Sequence, residues 1–209
     1  MDRNNEPESP PHMESLSPAD ADYRIYNRLA EQMEHIHNGF RNTWNELKAA
    51  CAPSLPSFPS SSPTSTQQAA QNQDEEDDTS DYDLILLGLS FCSSLSNHHA
   101  IEERHIFPQL ATRMPEFAAG AELTAQHEII HDGLVRLRSY LKGCERWLEG
   151  EGQGYGWGLD RGLLRGFLEG KEGEFERVLW GHLEREVELL RPESLERYFE
   201  VEEIRRFVL

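Results

Sequence analysis

Basic residues are scarce in this chain: its 209 residues include 20 Lys and Arg against 38 Asp and Glu, a formal net charge of -18. That balance excludes nucleic acid as a partner, because such binding is carried by clustered cations that neutralise phosphates. Cysteine is scarce too. Cys51, Cys92 and Cys144 are odd in number and far apart, which excludes a disulfide framework or a cysteine-rich metal site and leaves each as a small buried residue or an idle thiol. No apolar run reaches the roughly 20 residues that span a bilayer. The start, MDRNNEPESPPHM, lacks the basic and apolar regions of a signal peptide, so the expectation is a cytoplasmic protein with no membrane partner. Strand-like alternation is almost absent. The hydrophobic fraction of 37% is low for a chain that folds throughout, so part of the length is expected to stay outside the core.

What the sequence does contain is helical periodicity, interrupted in two places. Residues 1–19 are rich in Pro and Ser and read as a disordered leader; residues 52–80, rich in Pro, Ser and Gln and ending in the acidic run Asp74 to Asp78, read as a disordered insert. Four long amphipathic stretches remain, at about 20–51, 81–107, 116–148 and 159–190. Pro108 should end or kink the second, and the Gly-rich GEGQGYGWG closes the third. A short amphipathic tail, SLERYFEVEEIRRFVL, follows Pro192 and is expected to pack across the bundle. The fold class is therefore all-α: residues 20–209 form an antiparallel four-helix bundle with a short C-terminal helix.

Nine histidines are the unusual count, and their register on the apolar stripes decides their meaning. A buried imidazole or carboxylate without a partner is costly. In the first helix Tyr26, Leu29, Met33, His37, Phe40, Trp44 and Leu47 form one stripe. His37 is on it and His35 is not. In the second, stepping back from His98 meets Leu95, Phe91, Leu87 and Leu84, whereas stepping back from His99 meets Ser96 and Cys92. His98 and Glu102 are thus expected inward, with His99 and Glu103 on the flank or surface. The third stripe reads Leu123, His127, His131, Leu134, Leu137, Leu141, and the fourth Phe175, Leu179, His182, Glu186, Leu189. Five imidazoles and two carboxylates would then face one core. Three i,i+4 pairs on three helices suit the coordination of cations, which would neutralise groups otherwise too costly to bury.

The motifs HIHNGFRN, HHAIEERHIFP, QHEIIHDGL and HLEREVELL together resemble those of the hemerythrin-like family of cation-binding four-helix bundles, over about residues 20–190, with a flavour similar to the fungal members. The resemblance implies a non-haem di-iron centre with two iron ions as cofactors. His37, His98, His127, His131 and His182 would be terminal ligands, and Glu102 and Glu186 would bridge the metals. It further implies an open position on one iron where dioxygen or another small diatomic ligand binds, in a pocket kept apolar. The long insert, the long third loop and Glu186 in place of the more familiar Asp depart from the respiratory proteins. They leave a second function open, that of a di-iron oxidase or oxygenase acting on a small organic molecule. His105 could serve as an alternative ligand or a rim histidine.

Two other readings compete. His127-Glu128-Ile129-Ile130-His131 matches the H-E-x-x-H motif of zinc metallopeptidases, with Glu128 as general base. That reading leaves His37, His98 and His182 unexplained. A ferritin-like carboxylate site would use Glu34-x-x-His37 and Glu128-x-x-His131 with Glu102 and Glu186, but Glu34 falls off the inward stripe. No nucleophile triad or phosphate-binding loop is present, so the sequence names no substrate.

Overall fold

The computed structural model describes residues 18–52, 80–150, 158–170 and 174–207, and every regular element among them is helical. Residues 1–17 of the leader and most of the insert lie outside the described residues, and the leader's last two residues, Pro18 and Ala19, open α1. α1 spans Pro18–Ala50, α2 Asp81–Ile101, α3 Phe107–Leu110, α4 Glu122–Leu148, α5 Arg161–Glu169, α6 Glu174–Leu189, α7 Pro192–Leu195 and α8 Val201–Ile204. The starts of α2 and α5 are fixed by side chains that satisfy otherwise unpaired amides. Ser80 Oγ accepts from the Asp83 amide at 3.2 Å ahead of α2, and Asp160 Oδ1 accepts from the Leu163 amide at 2.8 Å ahead of α5.

Pro108 does not stop the second helix. The chain runs on through one π turn, Glu102–Ile106, in which the Phe107 amide donates to the Glu102 carbonyl. Proline carries no N–H, and its ring crowds the carbonyl four residues back. Widening the turn by one residue relieves that crowding without breaking the rod. The combined helix Asp81–Leu110 is the one stretch among the described residues long and apolar enough to cross a membrane, yet half of its most apolar window is buried inside the bundle. The expected third helix begins later than its pattern suggested, after a 3-10 turn at Pro115–Phe117. The expected fourth helix is two: α5 ends at Gly170, whose φ of 73° favours glycine, and α6 begins at Glu174.

Two apolar clusters make up the interior. One gathers the C-terminal halves of α1 and α4, the N-terminal half of α2, α5 and much of α6, around Trp44, Leu84, Phe91, Leu137, Leu164 and Phe175. The other gathers the N-terminal half of α1, the region of α3, the start of α4, the end of α6 and the tail, around Met33, Phe107, Phe117, Leu123 and Leu195. Opposite ends of α1 and α2 meet in each cluster, as do opposite ends of α2 and α4, so these successive long helices run antiparallel. The tail is tied to α1 as expected: Tyr26 Oη donates to the Phe199 carbonyl at 2.8 Å, and the Arg28 guanidinium donates to the carbonyls of Ile204 and Phe207. Cys51, Cys92 and Cys144 are all buried and unbridged, and burial pushes the Cys92 thiol up to about 12.

Candidate metal centre

Between the two apolar clusters lies a layer of buried polar side chains: His37, His98, His99, Glu102, His127, His182 and Glu186. Each is placed by its position along a helix. His37 falls between Met33 of one cluster and Phe40 of the other, and His127 falls between Leu123 and Ile130 in the same way.

The donor atoms of these residues converge into two groups, His37/His98/Glu102/Glu186 and His99/Glu102/His127/His182, each with its ligand atoms within 4.8 Å of one another. In the first, His37 Nε2 stands 3.1 Å from His98 Nε2 and 3.4 Å from Glu186 Oε2, and His98 Nε2 stands 2.7 Å from Glu102 Oε1. In the second, His127 Nε2 stands 3.0 Å from His182 Nε2 and 3.5 Å from Glu102 Oε2. An ion bonded to nitrogen and oxygen at about 2.1 Å sets adjacent ligands roughly 3.0 to 3.4 Å apart. The observed spacings are close to that.

Hydrogen bonding argues the same way. His127 Nδ1 lies 2.7 Å from Glu103 Oε1 and His182 Nδ1 lies 3.2 Å from Gln126 Oε1. The Gln126 amide is oriented independently, since its Nε2 donates to Glu122 Oε1 at 3.2 Å. Both Nδ1 atoms therefore carry the proton, and both Nε2 atoms present bare lone pairs to each other at 3.0 Å. Two lone pairs that close repel unless a cation sits beside them. Further, neither oxygen of Glu102 or Glu186 accepts a hydrogen bond, and His37 Nδ1 and His99 Nε2 have no partner, although all six atoms are buried. Orphaned groups of this kind cost about 1–3 kcal/mol each when neutral and more when charged. A bound cation removes the cost by taking them as ligands.

Burial also sets the protonation states. It pushes His98 down to about 4 and His182 to about 2, takes His99 well below the usual imidazole range, and lowers His127 despite the opposing pull of Glu103. These imidazoles are neutral at neutral pH, the form that binds metal. Burial, with Glu186 beside it, raises the Glu102 carboxyl well above its ordinary value. Such a carboxyl ionises readily only when a cation replaces its proton.

Six of the seven expected residues, His37, His98, Glu102, His127, His182 and Glu186, are brought together here. His131 is not: it is exposed and belongs to neither group. After His127 the α4 stripe can step to Ile130 or to His131, and the fold takes Ile130. Gly133 explains the rotation, because Phe175 of α6 packs so closely that a Cβ there would lie 2.3 Å from the ring. Conversely His99, expected on the flank, is buried and stacks on His127 at 4.0 Å, while Glu103 is exposed as expected. The Ser96/Cys92 side of α2 faces inward as well, although its residues are only weakly apolar. Cys92 is fully buried, and α2 is packed on two sides, by α1 and by α4, so both of its registers face inward. Glu186 joins one group and Glu102 joins both.

His35 and His105 are exposed. So is Glu34, which removes a carboxylate the ferritin-like pattern needs. Glu128 is exposed as well, and His127 and His131 do not converge on one point, so the peptidase motif is not assembled.

A helical bundle with a buried layer of convergent imidazoles and carboxylates defines a cation-binding protein. Residues 64–194 match the family model described as the hemerythrin HHE cation binding domain, and the chain belongs to that family. His37 on α1 lies outside the matched residues, yet the fold brings it to the same layer. No curated protein and no solved structure matches the chain.

Proposed function

We propose that the protein holds a non-haem di-iron centre and uses it to bind or sense dioxygen, nitric oxide or iron itself. The observation that carries this reading is Glu102. Its two oxygens face different groups, Oε1 toward His98 and Oε2 toward His127, as a carboxylate shared by two ions requires. Imidazole and carboxylate together suit iron. Iron held by these residues would supply the electrons and the Lewis acidity that binding of a diatomic ligand needs. The chain's own groups do the rest. Phe40 lies 5.2 Å from the His98 ring and Phe107 stacks 5.3 Å from the His127 ring, shielding one side of each imidazole from water. Glu103 and Gln126 hold His127 and His182 in the tautomer that offers Nε2 inward.

A second reading, a di-iron oxidase or oxygenase of a small organic molecule, is favoured by space. A cleft of about 460 Å³ is lined by His99 and His127 of the second group, and a cleft of about 690 Å³ shares Glu103 and Glu128 with it, sizes that admit a small organic ligand. Metal analysis of the purified chain, followed by anaerobic reduction and exposure to dioxygen, tests both. Two irons per chain and a coloured adduct that reverses on degassing are expected for binding. Irreversible reoxidation with release of an oxidised organic product selects the enzyme, and a single zinc per chain overturns the di-iron reading.

A further inference from the structure

The smaller cleft, about 460 Å³, opens between α2 and α4. Its lining includes two buried imidazoles, His99 and His127, and four exposed side chains, Glu103, Glu128, His131 and Asp132. The chemistry changes along its depth. The exposed part presents three carboxylates and an imidazole to solvent; the buried part presents His99, 6% exposed, whose Nε2 has no hydrogen-bond partner. His99 contributes a donor atom to the second group, so the cleft reaches that group directly.

Each candidate occupant meets this gradient differently. An anion is repelled by three carboxylates. A neutral organic molecule can hydrogen-bond to them but is not drawn in by their charge. A divalent cation is drawn to the carboxylates, finds an imidazole at His131, and one helical turn further in, about 5.4 Å along α4, finds His127 with His99 stacked beside it.

We propose that this cleft is the path by which the metal ion is loaded, that His131 belongs to its mouth as a transient ligand, and that His99 completes the second group in the finished centre. The proposal rests on the di-iron reading above. It also accounts for both departures from the sequence pattern with one cause: the close packing of α4 on Phe175 turns His131 outward, and the vacancy in the donor set is filled from the neighbouring helix by His99.

The test compares metal-free full-length protein with its His131→Ala, Glu128→Gln/Asp132→Asn and His99→Ala variants, using ferrous iron under anaerobic conditions. Two quantities are read: iron bound per chain at equilibrium and the rate of uptake after mixing. His131→Ala and the double rim variant are expected to bind as much iron as the unsubstituted chain but to load it about tenfold more slowly at low ionic strength, with the difference shrinking as salt is added. His99→Ala is expected to bind one iron fewer. The rim residues are exposed, so their variants fold normally and remain decisive even if His99→Ala does not. A His131→Ala chain that binds one iron fewer, or loads at the unsubstituted rate, overturns the proposal, as does a folded His99→Ala chain that keeps its full iron. An unsubstituted chain that takes up no iron instead overturns the di-iron reading itself.

Discussion

At His127 and His182 the direction of the lone pairs is decided by what lies behind the rings. An acidic oxygen and an amide oxygen hold the two Nδ1 protons, and the inward nitrogens are left bare. The cost of keeping such groups dry appears in their titration. His98 is pushed from its ordinary value to about 4 by burial. In the unfolded chain it takes up a proton near pH 6.5, whereas in the folded chain it resists until about pH 4. Stability present above pH 6.5 is therefore lost as pH falls between those values, by roughly 3 kcal/mol for this residue at 1.36 kcal/mol per unit. His99, His127 and His182 shift in the same direction. The raised Glu102 carboxyl acts in the opposite sense, gaining stability as pH falls, but four imidazoles outweigh it. Urea midpoints of metal-free protein should therefore fall from pH 7 to pH 4, and the loss should shrink in a His98→Phe variant, whereas a flat profile would contradict the buried neutral imidazoles.

Among the elements, α2 and α4 show what pattern reading captures and where it stops. The inward position of His37 is legible because α1 has one narrow stripe, and that of the fourth-helix pair His182 and Glu186 because its apolar steps are unambiguous. The α4 stripe is different: positions three and four residues after His127 straddle the core direction equally, and sequence spacing offers no means of choosing. The choice comes from a contact between helices, Gly133 against Phe175, that no local pattern encodes. The same holds for His99, whose burial follows from α2 being covered on two sides. Gly133→Ala tests this account directly. The added methyl meets the Phe175 ring, so α4 and α6 must separate or the ring must move, at about 1–3 kcal/mol. The expected result is a lower Tm together with weaker metal binding, while Gly143→Ala, where a Cβ meets nothing within 4 Å, should leave both unchanged or improved.

For the whole molecule, the excess of acid is unevenly distributed over the chain. Five of the extra carboxylates sit in the run 74–78, outside the described residues, while Glu102 and Glu186 are withdrawn into the core. The layer they belong to divides the interior into two apolar clusters that meet across a sheet of unsatisfied polar atoms. Apolar contact is what normally makes a small domain melt as one body, and here that contact is thinned at the middle. Without metal, the two ends should open as separate cooperative units, and amide exchange should report two distinct free energies of opening. A ligand at one hundred times its dissociation constant adds about 2.7 kcal/mol, and this one would add it at the seam. Exchange rates on both sides should then converge, so that metal loading changes how many folding units the chain has as well as how stable it is.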